Sequence, residues 1–136
     1  MKKEIDVVAL ILINSKKELF LARRSDTKGK DWEFPGGKVE KSESFKQALK
    51  REILEELSIH VEIDFDLGSQ AVQYGEKLYR IHFFASRYQH QEIKLTEHID
   101  SGWFSWEQLS SISISPGNWK FIQNSHALAD CLKKIS

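Results

Sequence analysis

The stretch from Gly37 to Ile59, GKVEKSESFKQALKREILEELSI, constrains this chain more than any other, because it encodes both a helix start and an acidic helix face. Ser44 followed three residues later by Gln47 is the pattern of a capping box, in which two side chains satisfy free amides at a helix start. The spacing predicts a helix beginning near Phe45, with Glu43 just outside its positive end. Phe45, Leu49, Ile53 and Leu57 recur every fourth residue and form an apolar stripe to pack against a sheet. Each helical residue advances by ~100°, so Glu52, Glu55 and Glu56 fall within about a quarter-turn of one another. Like charges at these spacings cost a helix a few tenths of a kcal/mol per pair, yet they offer a hard divalent cation several oxygens at once. Arg51 precedes Glu55 by four residues, the spacing at which it holds that carboxylate by a charge-assisted hydrogen bond.

An acidic helix face taken alone is also the ordinary signature of a solvated surface. Here Trp32-Glu33-Phe34-Pro35-Gly36-Gly37 precedes it, and the paired glycines let backbone carbonyls and amides approach a ligand or a metal closely. A metal site bordered by a glycine turn follows from the two features together.

At this point the residues resemble the Nudix box, the signature of the Nudix hydrolases, which cleave nucleoside diphosphates linked to another group with the help of divalent metal. The resemblance rests on Gly37, Glu43, Arg51, Glu52, Glu55 and Glu56, and covers about a sixth of the chain. It implies magnesium, or manganese in its place, held by Glu52, Glu55, Glu56 and the Gly36 carbonyl. One position departs: the family usually has Gly where this chain has Ser58, just past the helix end, where a left-handed backbone is common. Ser there costs ~1 kcal/mol without removing a metal ligand.

Composition bears on which partners are expected. The 136 residues fit a single domain, 1–136, able to bury its own core. Twenty basic and twenty acidic residues balance, so a free nucleotide is expected rather than a nucleic-acid polymer. The chain has no run apolar and long enough to span a bilayer and no signal-peptide core, and Cys131 has no second cysteine to pair with. These features imply a cytoplasmic protein with no membrane partner, as a monomer or homodimer, and a core thiol at Cys131.

Strands are expected at Ile5 to Ile13 and Glu18 to Arg23, joined as a hairpin through Asn14-Ser15-Lys16-Lys17. Further strands are expected at Val61 to Tyr74 and Leu78 to Tyr88, turning at Gly75-Glu76-Lys77, and a short one around Trp103 to Trp106. A closing helix is expected over Trp119 to Leu132. Strands interspersed with two helices argue an α/β fold, and the Nudix resemblance implies the same: an α/β/α sandwich with a mixed β-sheet.

The opening MKKEIDVVALILI, the Arg23-Arg24 pair, WEFPGG and Pro116-Gly117-Asn118 resemble the MutT-like branch, the 8-oxo-dGTP diphosphatase type that cleanses nucleoside triphosphate pools and so prevents mutation during DNA replication. The resemblance implies substrate contacts from Arg24, Glu33, Phe34, Gly36 and Asn118, with Phe34 and Asn118 recognising an oxidised guanine. An Asn both donates to and accepts from a purine edge; the same residue also suits the N-cap of the last helix. Glu97, six residues before Trp103, matches an extra glutamate that such enzymes place near the metals; as a loop residue beside His98 and Asp100 it also reads as solvated. The loop Ser25 to Asp31 departs from the better-known members, so Lys28 and Lys30, which are able to touch phosphates, carry no transferred role.

None of the five histidines, His60, His82, His90, His98 and His126, has zinc-like spacing. His82 lies where it would line a base pocket or serve the strand structurally, and Tyr74, Tyr79 and Phe83 are suited to stack on a base or to pack the core. The expected chemistry is hydrolysis of a nucleoside triphosphate to monophosphate and pyrophosphate. Glu52 and Glu97 are both candidates for general base, and Arg51 orients the catalytic carboxylates. The same box serves CTP or dCTP, dinucleoside polyphosphates and ADP-ribose, and the fold also serves as a nucleotide-sensing module.

Overall fold

The computed structural model of the protein describes residues 3–24 and 31–135. Lys28 and Lys30 lie outside the described residues. The sheet is mixed and seven-stranded, formed by β1 (Glu4–Ile13), β2 (Leu19–Arg24), β3 (Trp32–Glu33), β4 (Gly36–Lys38), β5 (Phe65–Tyr74), β6 (Lys77–Arg87) and β7 (His98–Phe104). Its main path runs β3-β2-β1-β6-β5, with β4 paired to β1 and β7 paired to β2. The expected opening hairpin exists, but β1 and β2 share a single register pair, Ile13 with Leu19. The main partner of β1 is instead β6, parallel from Glu4 opposite Leu78 to Ile13 opposite Arg87.

That arrangement explains why β1 is apolar almost throughout. A strand covered on both faces has no solvent side to leave polar. Ala9, Ile11 and Ile13 enter one core with Phe83, Phe121, Leu128 and Cys131. Val8, Leu10 and Leu12 enter the other with Ala48, Leu49, Ile53 and Leu57. Cys131 is the expected core thiol, and burial pushes its pKa up. The layers are those of the expected α/β/α sandwich: α1 (Phe45–Leu57) covers one face, and α2 (Pro116–Asn124) with α3 (His126–Lys134) covers the other.

Helix α1 starts where the capping box requires it, with Ser44 accepting from the Gln47 amide and the Gln47 side chain accepting from the Ser44 amide. Leu49, Ile53 and Leu57 are fully buried, but Phe45 is 37% exposed and leaves the expected stripe, stacking on His82 with ring centroids 3.9 Å apart. At the other end Ser58 adopts φ 60°, ψ 32°, the left-handed cap anticipated for that position.

Other boundaries differ for local reasons. Residues 61–64 run irregularly before β5 begins at Phe65. The expected Trp103 to Trp106 strand is the end of the longer β7, and a 3₁₀ helix, Trp106–Ser111, follows behind a second capping box from Ser105 and Gln108. The single expected closing helix is two, because Ser125 takes extended geometry and its side chain caps α3 by accepting from the Leu128 amide. No helix among the described residues is long and apolar enough to cross a membrane.

Candidate active site

The short strand β4 lies antiparallel to β1, with Gly36 opposite Ala9 and Gly37 opposite Val8. A Cβ on Gly36 would collide with the Val8 carbonyl, so only glycine permits this approach. At Gly37 the place of a Cβ is taken by the Glu52 carboxylate, whose atoms stand 2.5 to 2.7 Å from it. The glycine turn and the acidic helix therefore interlock.

Arg51 organises the outer part of the acidic arc. Its Nε donates to Glu43 Oε2 at 2.7 Å and its Nη2 to Glu43 Oε1 at 2.9 Å. Its Nη1 donates to Glu52 Oε1 at 2.9 Å and reaches Glu55 Oε2 only at 3.4 Å. The expected Arg51–Glu55 bond is thus the longest of the set. The main partner, Glu43, lies in the turn before the helix, where helical spacing does not apply. The hydrogen bonds from Arg51, reinforced by the Glu40 amide, hold the Glu43 carboxyl down to about 2. The same bonds, led by the one to Glu43, raise the pKa of Arg51.

Glu56 forms the inner end of the arc. It is 0% exposed, and neither carboxylate oxygen has a hydrogen-bond partner. Burial first, and then the neighbouring Glu52 carboxylate, push its pKa up to about 9. Two ionised carboxylates only accept hydrogen bonds, so Glu56 donates to Glu52 only when it carries a proton. A buried carboxylate without a donor calls for a proton or a cation. An orphaned Glu56 beside Glu52 over Gly37 is a hard-oxygen donor set that fits magnesium or manganese.

Even so, no three His, Cys, Asp or Glu side chains among the described residues are grouped closely enough to hold one ion. Successive helical positions differ by ~100°, which sends Glu55 and Glu56 to opposite sides of Glu52. The Glu55 side chain is 56% exposed beside Arg51, while Glu56 turns inward. The one-face arrangement expected from the sequence is therefore an arc running from solvent to core.

Across from Glu56, Arg24 donates through Nε to Glu33 Oε2 at 2.8 Å, and its Nη1 stands 3.7 Å from Glu97 Oε2. Burial works against the charge on Arg24, but Glu33, with Glu56 and Glu97 adding to it, outweighs that cost and raises its pKa. Glu97, just ahead of β7, is thus brought to the same side of the molecule as Arg24 and Glu56. His98 was given no role by its spacing, yet its side chain is buried with Nε2 3.1 Å from Glu33 Oε2 and 3.8 Å from Glu56 Oε1. The one sequence signal for it was adjacency to Glu97.

A cleft of about 540 Å³ borders this cluster, lined by Arg24, Glu33, Phe34, Gly36, Gly37, Ser115 and Asn118, with Val72, Tyr74, Tyr79 and Ile81 as further walls. Asn118 is not the N-cap of α2; Ser115 holds that position. Asn118 Oδ1 accepts from the Phe34 amide at 2.9 Å, leaving one oxygen lone pair and the side-chain NH₂ for a ligand. Tyr74 and Tyr79 meet edge to face at 5.8 Å on the cleft wall, whereas Phe83 stacks on Phe121 at 3.8 Å in the core. His82 does not line the cleft; its Nε2 lies 2.9 Å from Asp6 Oδ1.

The cleft, glycine turn and acidic helix define a hydrolase architecture seen in other proteins. Residues 3–125 match the NUDIX domain model. A CTP pyrophosphohydrolase of Escherichia coli is 33% identical over 128 residues, which cover 93% of this chain and 94% of that one. An 8-oxo-dGTP diphosphatase of Haemophilus influenzae is 32% identical over 126 residues, covering 89% and 90% of the two chains. Among solved structures, a MutT protein from Methanosarcina mazei Go1 superposes with a TM-score of 0.84 at 30% identity, covering 98% of this chain and 97% of that one.

The chain belongs to the NUDIX domain family and is a MutT-like Nudix hydrolase, an enzyme acting on phosphoanhydride bonds. Enzymes of this family depend on divalent metal, and they act on small nucleotide substrates.

Proposed function

We propose that this chain hydrolyses 8-oxo-dGTP to 8-oxo-dGMP and pyrophosphate, acting through one Nudix domain to sanitise the nucleotide pool. The observation that carries this reading is the bond between the Phe34 amide and Asn118 Oδ1 at the cleft, three residues along the same segment from Gly37, which meets Glu52. A base held at Asn118 would place its phosphates toward Arg24, Gly36, Gly37 and the acidic arc. The 8-oxo-dGTP diphosphatase of Haemophilus influenzae supports this substrate.

In this reading Glu52, Glu55, Glu56, Glu97 and the Gly36 carbonyl would hold magnesium, which would supply neutralisation of phosphate charge and acidification of water. Arg51, anchored by Glu43, fixes the Glu52 carboxylate against Gly37, which lines the cleft. Arg24, held by Glu33, presents its remaining guanidinium N–H groups to the phosphate chain. Glu52 or Glu97 takes the proton from the attacking water. One water is consumed, the bond between the α- and β-phosphates breaks, and the proton leaves on the carboxylate before release to solvent. Tyr74 and Tyr79 offer an aromatic wall to the base.

CTP hydrolysis is the second reading, favoured by the Escherichia coli relative. Product analysis separates the two: 8-oxo-dGTP, dGTP, CTP and ADP-ribose are compared at equal low concentration in magnesium buffer, with Glu56→Gln as blank. Preference for the oxidised nucleotide with pyrophosphate release supports the proposal. Preference for CTP transfers the same chemistry to a pyrimidine, and absence of turnover with every nucleotide leaves a sensing module.

A further inference from the structure

The pairing of β7 with β2 is regular from Phe104 opposite Leu19 to Asp100 opposite Arg23, and then slips so that His98 lies opposite Arg24. The extra residue is Ile99, which stands 62% exposed. A bulge of this kind re-aims the side chain beside it. Its effect is to carry an imidazole into the protein beneath Arg24, where its side chain has no solvent exposure.

There Nε2 meets two carboxylates. Glu33 Oε2 is 3.1 Å away, within hydrogen-bond range, and Glu56 Oε1 is 3.8 Å away, less than an ångström beyond it. An ionised carboxylate only accepts, so the Glu33 contact requires the hydrogen to sit on Nε2. Glu33 Oε2 also receives the Arg24 Nε hydrogen bond. A single chain of contacts therefore links Arg24, Glu33, His98 and Glu56, running from the cleft wall to the buried end of the acidic arc. The Glu56 oxygens have no hydrogen-bond partner, and the His98 imidazole stands 3.8 Å from one of them.

We propose that His98 is a positioning residue: its Nε2–H, anchored on Glu33, sets the direction in which Glu56 presents its oxygens to a divalent cation. This rests on the reading of Glu56 as a metal ligand. Partners that hold a ligating side chain in place influence metal affinity about 10- to 100-fold when removed, and His98 belongs to that group without itself being a ligand.

The test uses Mn²⁺ alone, without nucleotide, titrated into the full chain by calorimetry, alongside steady-state kcat and KM for the preferred triphosphate. His98→Leu is expected to weaken Mn²⁺ binding by about 10-fold or more and to lower kcat. His98→Gln, whose amide N–H reaches close to the Nε2 position, is expected to recover both to within a few-fold, and His98→Asn, which is too short, is not. If His98→Leu fails to fold, the Gln and Asn variants carry the comparison. Wild-type Mn²⁺ affinity in His98→Asn or His98→Leu would overturn the proposal, as would equal impairment of Gln and Asn variants with unchanged thermal unfolding. A wild-type chain that binds no Mn²⁺ would instead overturn the metal reading of Glu56.

Discussion

The Phe34 amide and Asn118 Oδ1 meet at 2.9 Å across 84 residues of sequence, tying the WEFPGG segment to the first turn of α2 at the cleft. This bond gives Asn118 two separable jobs. Its oxygen supports the fold, and its NH₂ faces the cleft unengaged by Phe34.

Asn118→Ala and Asn118→Asp should therefore fail differently. Alanine leaves the buried Phe34 amide without an acceptor, a loss of ~1–3 kcal/mol, visible as a lowered Tm and a raised KM. Aspartate keeps the acceptor and removes the NH₂ donor, so Tm should hold while discrimination between 8-oxo-dGTP and dGTP collapses. Comparison of kcat/KM for the two nucleotides, with thermal unfolding of both variants, decides; equal behaviour of Ala and Asp variants would remove the two-job interpretation.

Glu56→Gln is expected to lower kcat by at least ~10²–10³-fold, as removal of a charge-stabilising group does at a catalytic centre, with the fold intact. Because burial disfavours the ionised carboxylate, the neutral amide should also raise Tm by several degrees in the presence of a chelator at neutral pH. Turnover near the wild-type rate would refute the assignment of Glu56 as a metal ligand.

The same carboxylate sets a pH dependence. Its pKa rises from the ordinary 4.5 to about 9 in the folded chain, so between those values the folded state holds a proton that the unfolded state has released. Metal-free stability attributable to Glu56 is thus full below about pH 4.5 and is lost progressively as pH rises toward 9. Chemical denaturation with a chelator at several pH values should show this slope in the wild type and its loss in Glu56→Gln.

Glu43 acts in the opposite sense. Arg51 holds its folded pKa near 2 against the ordinary 4.5, so its contribution is present above that ordinary value and disappears as pH falls through about 2. Glu43→Gln should shift acid unfolding to higher pH and, by releasing Arg51 from its anchor, reduce kcat at neutral pH. An unchanged acid transition would show that the ion pair does not couple to folding.

Ser58→Gly should stabilise the chain by ~1 kcal/mol, since glycine adopts the left-handed cap at φ 60° without a side-chain penalty. A Tm increase of a few degrees with unchanged kcat is expected. A fall in Tm would mean that the contact of Ser58 Oγ with the Lys94 carbonyl, 3.4 Å away, outweighs the strain.

What the sequence determined by itself was chiefly local. The Ser44–Gln47 box, the Leu49–Ile53–Leu57 stripe and the left-handed position at Ser58 follow from interactions within a few residues, and one helical period carries them. The β-branched, apolar run of β1 likewise announced a strand, and the structure buries it on both faces. Tertiary structure decided what long-range pairing alone can fix: β6 rather than β2 as the main partner of β1, Glu43 as the anchor of Arg51, and the exposure of Phe45 on His82. It also divided the acidic face into an exposed Glu55 and a buried Glu56, and, through one extra residue at Ile99, brought His98 beside Glu33 and Glu56. Periodicity states which residues share a face of one element; which of them lose water, and which charges they then meet, depends on the elements packed against that face.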